Sequence, residues 1–136
     1  MYSGNHVIAE VAQLVLLQRS GGEILMLQDC DGKWGLPGGR LNKGEAWLDG
    51  LQREVREEIG VTSFQLGQPL GVYQRTSRSG LPVYGVIFSG TVAAAEVTLS
   101  QEHQAFGWFT RPEDCDGKTF YPREVEALVR AALRRA

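Results

Sequence analysis

Three glutamates, Glu54, Glu57 and Glu58, stand at offsets 0, +3 and +4 in the stretch Arg53-Glu54-Val55-Arg56-Glu57-Glu58-Ile59-Gly60. On a helix of 3.6 residues per turn they crowd one face. The same stretch carries Leu48, Leu51, Val55 and Ile59 at spacings 3, 4 and 4, an apolar stripe about a quarter-turn away. A helix with these two faces constrains everything around it. The stripe must pack on a sheet, and the carboxylates then stand at its edge. Taken alone, three helical glutamates also suit a solvated surface; their segregation beside the stripe favours a site. Like charges so close repel unless a cation sits among them, so raised glutamate pKa values are expected in its absence.

The helix is expected over residues 43 or 44 to 59, with Gly60 as a left-handed stop. Ahead of it runs Trp34-Gly35-Leu36-Pro37-Gly38-Gly39. Pro37 biases Leu36 toward extended geometry. Gly38 and Gly39 let the backbone take unusual angles or approach a ligand closely. Mg²⁺ prefers carboxylate and carbonyl oxygens and keeps several waters. Three glutamates and a glycine-loop carbonyl supply such oxygens and leave room for a phosphate beside Gly39. A metal there orients a water and lowers its pKa, so hydrolysis of a phosphoanhydride follows as the reaction class. Arg53 lies four residues before Glu57, placed to pair with it and fix its orientation.

The remaining features bound the setting. A chain of 136 residues makes a single domain, 1–136. A net charge of -2 leaves no basic footprint for long nucleic acid, although a short nucleotide needs none. No apolar run approaches the roughly 20 residues of a membrane span. The first ten residues have no secretory pattern, so a cytoplasmic location is expected. Cys30 and Cys115 have no C-x-x-C spacing and read as free thiols.

Strands are expected over residues 7–18 and 23–28, as a hairpin-like pair around Ser20-Gly21-Gly22. Others follow within 62–74, with a break near Pro69 and Gly71, and over 81–92 and 105–110. Residues 75–80 read as a hairpin loop, 93–101 as a loose connection, and 111–114 as a turn or single helical turn. A last helix starts near Tyr121-Pro122, with Val125, Leu128, Val129 and Leu133 as its stripe. Mixed strands with one mid-chain and one terminal helix suggest a sheet between helices, an α/β fold.

Gly39, five residues, Glu45, seven residues, then Arg-Glu-Val-Arg-Glu-Glu-Ile-Gly-Val matches the Nudix box at each defining position over residues 39–61. The chain resembles the Nudix (MutT-like) hydrolase family, and the preceding glycine loop and chain length agree. The resemblance implies the Nudix fold, an α/β/α sandwich around a mixed β-sheet. It implies attack of an activated water on a diphosphate attached to a group that is usually a nucleoside. Glu54, Glu57 and Glu58 would then ligate Mg²⁺ or Mn²⁺, with the Gly38 carbonyl as a further ligand and Arg53 orienting the cluster. Glu45 would pair with Arg53 or cap the helix; on a regular helix it projects roughly opposite the other three. Many MutT-like members draw the general base from a loop before a Trp-containing strand. Glu102, ahead of Trp108, is the candidate here, with Glu57 and Glu58 as alternatives. His103 reads as a solvated loop histidine.

Substrate recognition is less explicit. Trp34, Tyr73, Tyr84, Phe106, Trp108 and Tyr121 are aromatic candidates for base stacking, each also ordinary core or sheet packing. Trp47, seven residues before Glu54, suits the substrate entrance, a subunit contact in a homodimer, or packing at the sheet edge. Arg75 and Arg78 are candidates for a phosphate tail. The proline that many ADP-ribose hydrolases carry about fifteen residues past the box, and the upstream signature of coenzyme A hydrolases, are not found. Size and layout resemble the branch hydrolysing (d)NTPs or modified (d)NTPs to monophosphate and pyrophosphate. Hydrolysis of a nucleotide-sugar, dinucleoside polyphosphate or capped RNA is the second reading. A non-catalytic nucleotide-binding regulatory module is a third, of another class.

Overall fold

The computed structural model describes residues 4–93 and 96–135. Seven strands form one mixed sheet: β1 (Glu10–Gln18), β2 (Ile24–Asp29), β3 (Trp34–Gly35), β4 (Gly38–Arg40), β5 (Gln65–Thr76), β6 (Pro82–Thr91) and β7 (His103–Phe109). Helix α1 spans Trp47–Ile59 and α2 spans Glu124–Arg135, with a 3-10 turn over Pro112–Cys115. β1 runs parallel to β6 from Glu10↔Val83 to Gln18↔Thr91. β5 pairs antiparallel with β6 at the sheet edge, and β7 pairs antiparallel with β2.

Side chains alternate between the two faces of a strand, and this divides the core. Val15 and Leu17 of β1 join Leu25 and Leu27 of β2 against Leu51, Val55 and Ile59 of α1. Leu14, Leu16, Ile24 and Met26 point the other way, against Val125, Val129 and Leu133 of α2. The two helices cover opposite faces, which makes the expected α/β/α sandwich. Leu51, Val55 and Ile59 are each no more than 1% exposed, and burying a side chain of this size contributes about 1.5–3 kcal/mol. Leu48 and Leu128, expected in the two stripes, are only half-buried.

Several expectations need correction. The β1–β2 hairpin is paired only at Gln18↔Ile24, because β1 turns its other end to β4, through Ala12↔Arg40, Gln13↔Gly39 and Leu14↔Gly38. The loop read before α1 thus contains two short strands. Helix α1 begins at Trp47 rather than at residue 43 or 44: Gly44 takes a φ of 75°, and Glu45 N donates to Asn42 O in a turn instead of entering the helix. Gly60 does stop α1 in the left-handed region, at φ 73°. β5 runs on to Thr76, so Arg75 is a strand residue opposite Val83 and not a loop residue. The break at Pro69 and Gly71 is present as two register shifts. Within the connection at 93–101, Ala94 and Ala95 lie outside the described residues, as do residues 1–3 and Ala136 of the 1–136 domain. Cys30 is exposed, Cys115 is buried and neither forms a disulfide. No helix among the described residues is long and apolar enough to cross a membrane.

Candidate active site

The β1–β4 pairing brings the glycine loop against α1. Gly39 lies close against the helix: a Cβ there would stand 2.5 Å from the Glu54 carboxylate and displace it. Gly38 donates its backbone N–H to Glu58 Oε1 at 2.6 Å. The glycines therefore let two carboxylates of α1 reach past β4 into a cavity of about 370 Å³. Ala12 and Leu14 of β1 help line it, together with Gly38, Gly39, Arg40, Asn42, Glu54, Glu58 and Glu102. Tyr73, Arg75 and Tyr121 complete its far side.

Arg53 is the hub of the acidic cluster. Its Nε donates to Glu45 Oε2 at 2.6 Å and its Nη2 to Glu45 Oε1 at 3.0 Å. Nη1 donates to Glu54 Oε1 and Glu57 Oε1, both at 2.9 Å, and Nη2 reaches the Arg40 carbonyl at 3.1 Å. The guanidinium fork meets Glu45 with two bonds, a planar match that lysine cannot reproduce. Glu45 is not opposite the cluster. It lies before the helix, so no helical angle governs it, and it folds back onto Arg53. The Arg53 hydrogen bonds and the Asn42 N–H hold its carboxyl below the usual range.

The other carboxyls are shifted upward. Glu58 is 8% exposed. Burial above all pushes its pKa up to about 8, against the Gly38 N–H, with Glu54, Glu102 and Glu57 adding repulsion. Glu54 is also raised, by burial first, with Arg53 opposing and Glu57 and Glu102 repelling. The upward direction at Glu54 and Glu58 is the one expected, but burial more than crowding causes it. Glu57 is half-exposed and, unlike Glu54 and Glu58, does not line the cavity.

The loop bearing Glu102 is laced to the end of α1: Thr98 N donates to Ile59 O, and Ser100 N to Glu58 O, both at 2.9 Å. His103 is not solvated. Its Nε2 lies 3.7 Å from Glu58 Oε2, its Nδ1 is buried with no hydrogen-bond partner, and burial lowers its pKa. Sequence spacing carried no sign of this, because the contact depends on how the loop crosses the helix end.

Arg75 reaches the cavity from β5, while Trp47 does not. Trp47 stacks on Phe88 with ring centroids 5.5 Å apart and is 48% exposed. Seven residues raise it about 10 Å along the helix axis from Glu54, far enough to lie over β6 instead of β4. A larger cleft of about 590 Å³ just past the C-terminal end of α1 has Glu96 as the one titratable group among its described lining residues, so it offers no comparable chemistry.

Among the described residues no three Asp, Glu, His or Cys side chains form a ready-made metal cage. Arg53 occupies one oxygen of Glu54 and one of Glu57 instead. The donor set nevertheless fits a hard divalent cation. It is all oxygen, burial and then repulsion from its neighbours raise the pKa of its buried member, and the Gly38–Gly39 backbone leaves space beside it.

The chain and its fold have clear counterparts. The MutT protein from Methanosarcina mazei Go1 superposes with a TM-score of 0.75 at 28% identity, covering 93% of this chain and 96% of that one. The nucleoside triphosphatase NudI of Escherichia fergusonii is 29% identical over 113 residues, 73% of this chain and 79% of that protein. The asymmetrical bis(5'-nucleosyl)-tetraphosphatase of Mus musculus is 32% identical over 114 residues, 79% of this chain and 76% of that protein. The NUDIX domain family model matches residues 8–133, and with the box, the sandwich and the acidic cavity in agreement, the chain belongs to this family and is a Nudix hydrolase.

Proposed function

We propose that the protein cleaves a phosphoanhydride bond of a nucleoside diphosphate derivative, with Mg²⁺ or Mn²⁺, and acts on (d)NTPs or modified (d)NTPs to release monophosphate and pyrophosphate. One observation carries this reading: Glu54, Glu58 and Glu102 converge on a cavity that also presents Arg40. Carboxylates alone repel a polyphosphate; carboxylates that hold a cation, with an arginine beside them, accept one.

Glu54, Glu57 and Glu58 would hold the metal, and the Gly38 carbonyl is a further oxygen. When bound, the metal neutralises phosphate charge and makes its water a better nucleophile. Arg53 keeps Glu54 and Glu57 oriented through its 2.9 Å bonds. Glu102 takes the proton of the attacking water, the role of a general base. The Gly39 backbone lets a phosphate approach closely, because glycine carries no side chain. Arg40, whose guanidinium also pairs with Glu10 at 3.2 Å, faces the phosphate chain as a donor, while Arg75 stands at the far side of the cavity. The mouse tetraphosphatase supports a second reading, in which the substrate is a dinucleoside polyphosphate.

The test is a substrate panel of canonical and oxidised (d)NTPs, dinucleoside polyphosphates, nucleotide-sugars and ADP-ribose with Mg²⁺ or Mn²⁺, products identified. Monophosphate plus pyrophosphate from a triphosphate is the expected result. Efficient cleavage restricted to dinucleoside polyphosphates moves the assignment to the second reading. Full activity of Glu57→Gln would overturn the metal site.

A further inference from the structure

The end of the cavity away from the carboxylates holds groups that the hydrolytic step does not use. Tyr73 is 5% exposed, yet it lines the cavity. Its hydroxyl makes no hydrogen bond to any other described residue. The ring is buried while the hydroxyl opens on the cavity, so it is free to hydrogen-bond a ligand there. Burial pushes the Tyr73 pKa up to about 12, so the group is a phenol with a proton to donate.

Its placement follows from small residues on the neighbouring strands. Tyr73 pairs with Gly85, and Gly85 pairs with Ala12. A Cβ on Gly85 would fall within the Tyr73 ring, so the ring lies across β6 only because that position is glycine. Two strand spacings, about 10 Å, then separate Gly85 on β6 from the Arg40 backbone on β4, with β1 between them. The cavity therefore has two ends, an acidic one at β4 and α1 and another at β6 and β5.

Arg75, two residues along β5 from Tyr73, projects from the same face. Its guanidinium makes no ion pair with a described residue and lies 5.8 Å from the centre of the Tyr121 ring. Tyr121 is 45% exposed, and its backbone N–H donates to Trp34 O at 3.0 Å, which fixes the ring at the cavity wall. The carboxylates lining the cavity are Glu54, Glu58 and Glu102, all of them assigned to the other end. Glu124 affects the Tyr73 ionisation but does not line the cavity.

An aromatic face, a guanidinium and a phenol suit a nucleobase held by stacking and read by donors. Arginine has five N–H donors and no acceptor. Guanine presents O6 and N7 as acceptors, and uracil and thymine present O4, whereas adenine and cytosine place an exocyclic amine at the corresponding edge. We propose that Tyr73, Arg75 and Tyr121 form a base-reading subsite that selects nucleotides with a carbonyl-bearing base over those with an amino-bearing one. The assignment rests on the hydrolase reading above for placing the phosphates at the carboxylate end.

Binding of the four monophosphates, measured with and without Mg²⁺, tests it without requiring turnover. Calorimetric titration should give GMP and UMP an affinity about fivefold or more above AMP and CMP, the discrimination expected of one good base contact. Tyr73→Phe, which keeps the ring and the fold, should weaken GMP and UMP. Arg75→Gln, which adds an acceptor, should raise the relative affinity for AMP and CMP, an effect that a merely structural role would not produce. Equal binding of all four, no binding of any, or an unchanged preference in both variants overturns the proposal. Selective binding without hydrolysis of the matching triphosphates under Mg²⁺ or Mn²⁺ leaves the subsite standing and overturns the catalytic reading alone.

Discussion

The Gly38 N–H and the Glu58 carboxylate, 20 residues apart in the chain, meet in a 2.6 Å hydrogen bond. This bond ties β4 to the last turn of α1. It also sets a buried carboxyl at the mouth of the cavity, where it titrates far above its ordinary range. Its charge state therefore links stability, pH and cation binding.

Glu58 titrates at about 8 in the folded protein and near 4.5 when free of its surroundings. Between these values the folded state keeps a proton that the unfolded state releases. The stabilisation is thus complete below about 4.5 and is lost as pH rises through about 8. The metal-free Tm should fall between pH 5 and 9, by an amount on the order of a few kcal/mol in stability. Saturating Mg²⁺ should lessen the fall, and Glu58→Gln should flatten it. Burial lowers the pKa of His103, so its contribution runs the other way as pH drops through its ordinary value; the comparison with Glu58→Gln isolates the carboxyl. A wild-type Tm that rises with pH across this range contradicts the assignment.

The two adjacent glycines should respond differently to alanine. At Gly38, where φ is 140°, a Cβ would stand 2.7 Å from Leu14 Cα and press on the Gln13 carbonyl. Backbone cannot give way cheaply, so Gly38→Ala should cost on the order of 3 kcal/mol. At Gly39 the obstacle is the mobile end of Glu54. Gly39→Ala should keep most of the stability and lose activity about tenfold or more, as expected when a carboxylate at the reacting centre is displaced. Thermal melts alongside kcat measurements distinguish the two.

Arg53 gathers three carboxylates and a backbone carbonyl. Arg53→Ala should reduce activity or metal affinity by about 10–100-fold. Arg53→Lys should recover only a small part, because a single ammonium cannot reproduce the two-bond contact with Glu45 while also holding Glu54 and Glu57. Recovery of full activity in the lysine variant would show that charge alone suffices.

If Glu102 is the general base, Glu102→Gln should lower kcat by about 100-fold or more with little change in the metal concentration needed for half-maximal rate. A shift in that metal requirement, with kcat unchanged at saturation, would make Glu102 a ligand instead.

The helix and its chemistry were legible before any coordinates because they depend on short-range spacing. The stripe of Leu51, Val55 and Ile59 packs as its period predicts, and Arg53 reaches Glu57 across one turn. The start of α1 was less legible. Gly44 and the turn at Asn42 released Glu45 from the helix and returned it to Arg53, a choice that an ion pair over eight residues made.

Thus the sequence by itself determined the family, the two-faced helix and the set of acidic residues, since each is written in spacings within one local segment. Tertiary structure decided which of them meet. The β1–β4 register placed Gly38 on Glu58, the β5–β6–β1 register laid Tyr73 over Gly85 toward the cavity, and the rise of α1 carried Trp47 away to Phe88. These contacts join residues far apart in the chain. Their geometry follows from strand pairing and packing across the whole sheet, which no local periodicity records.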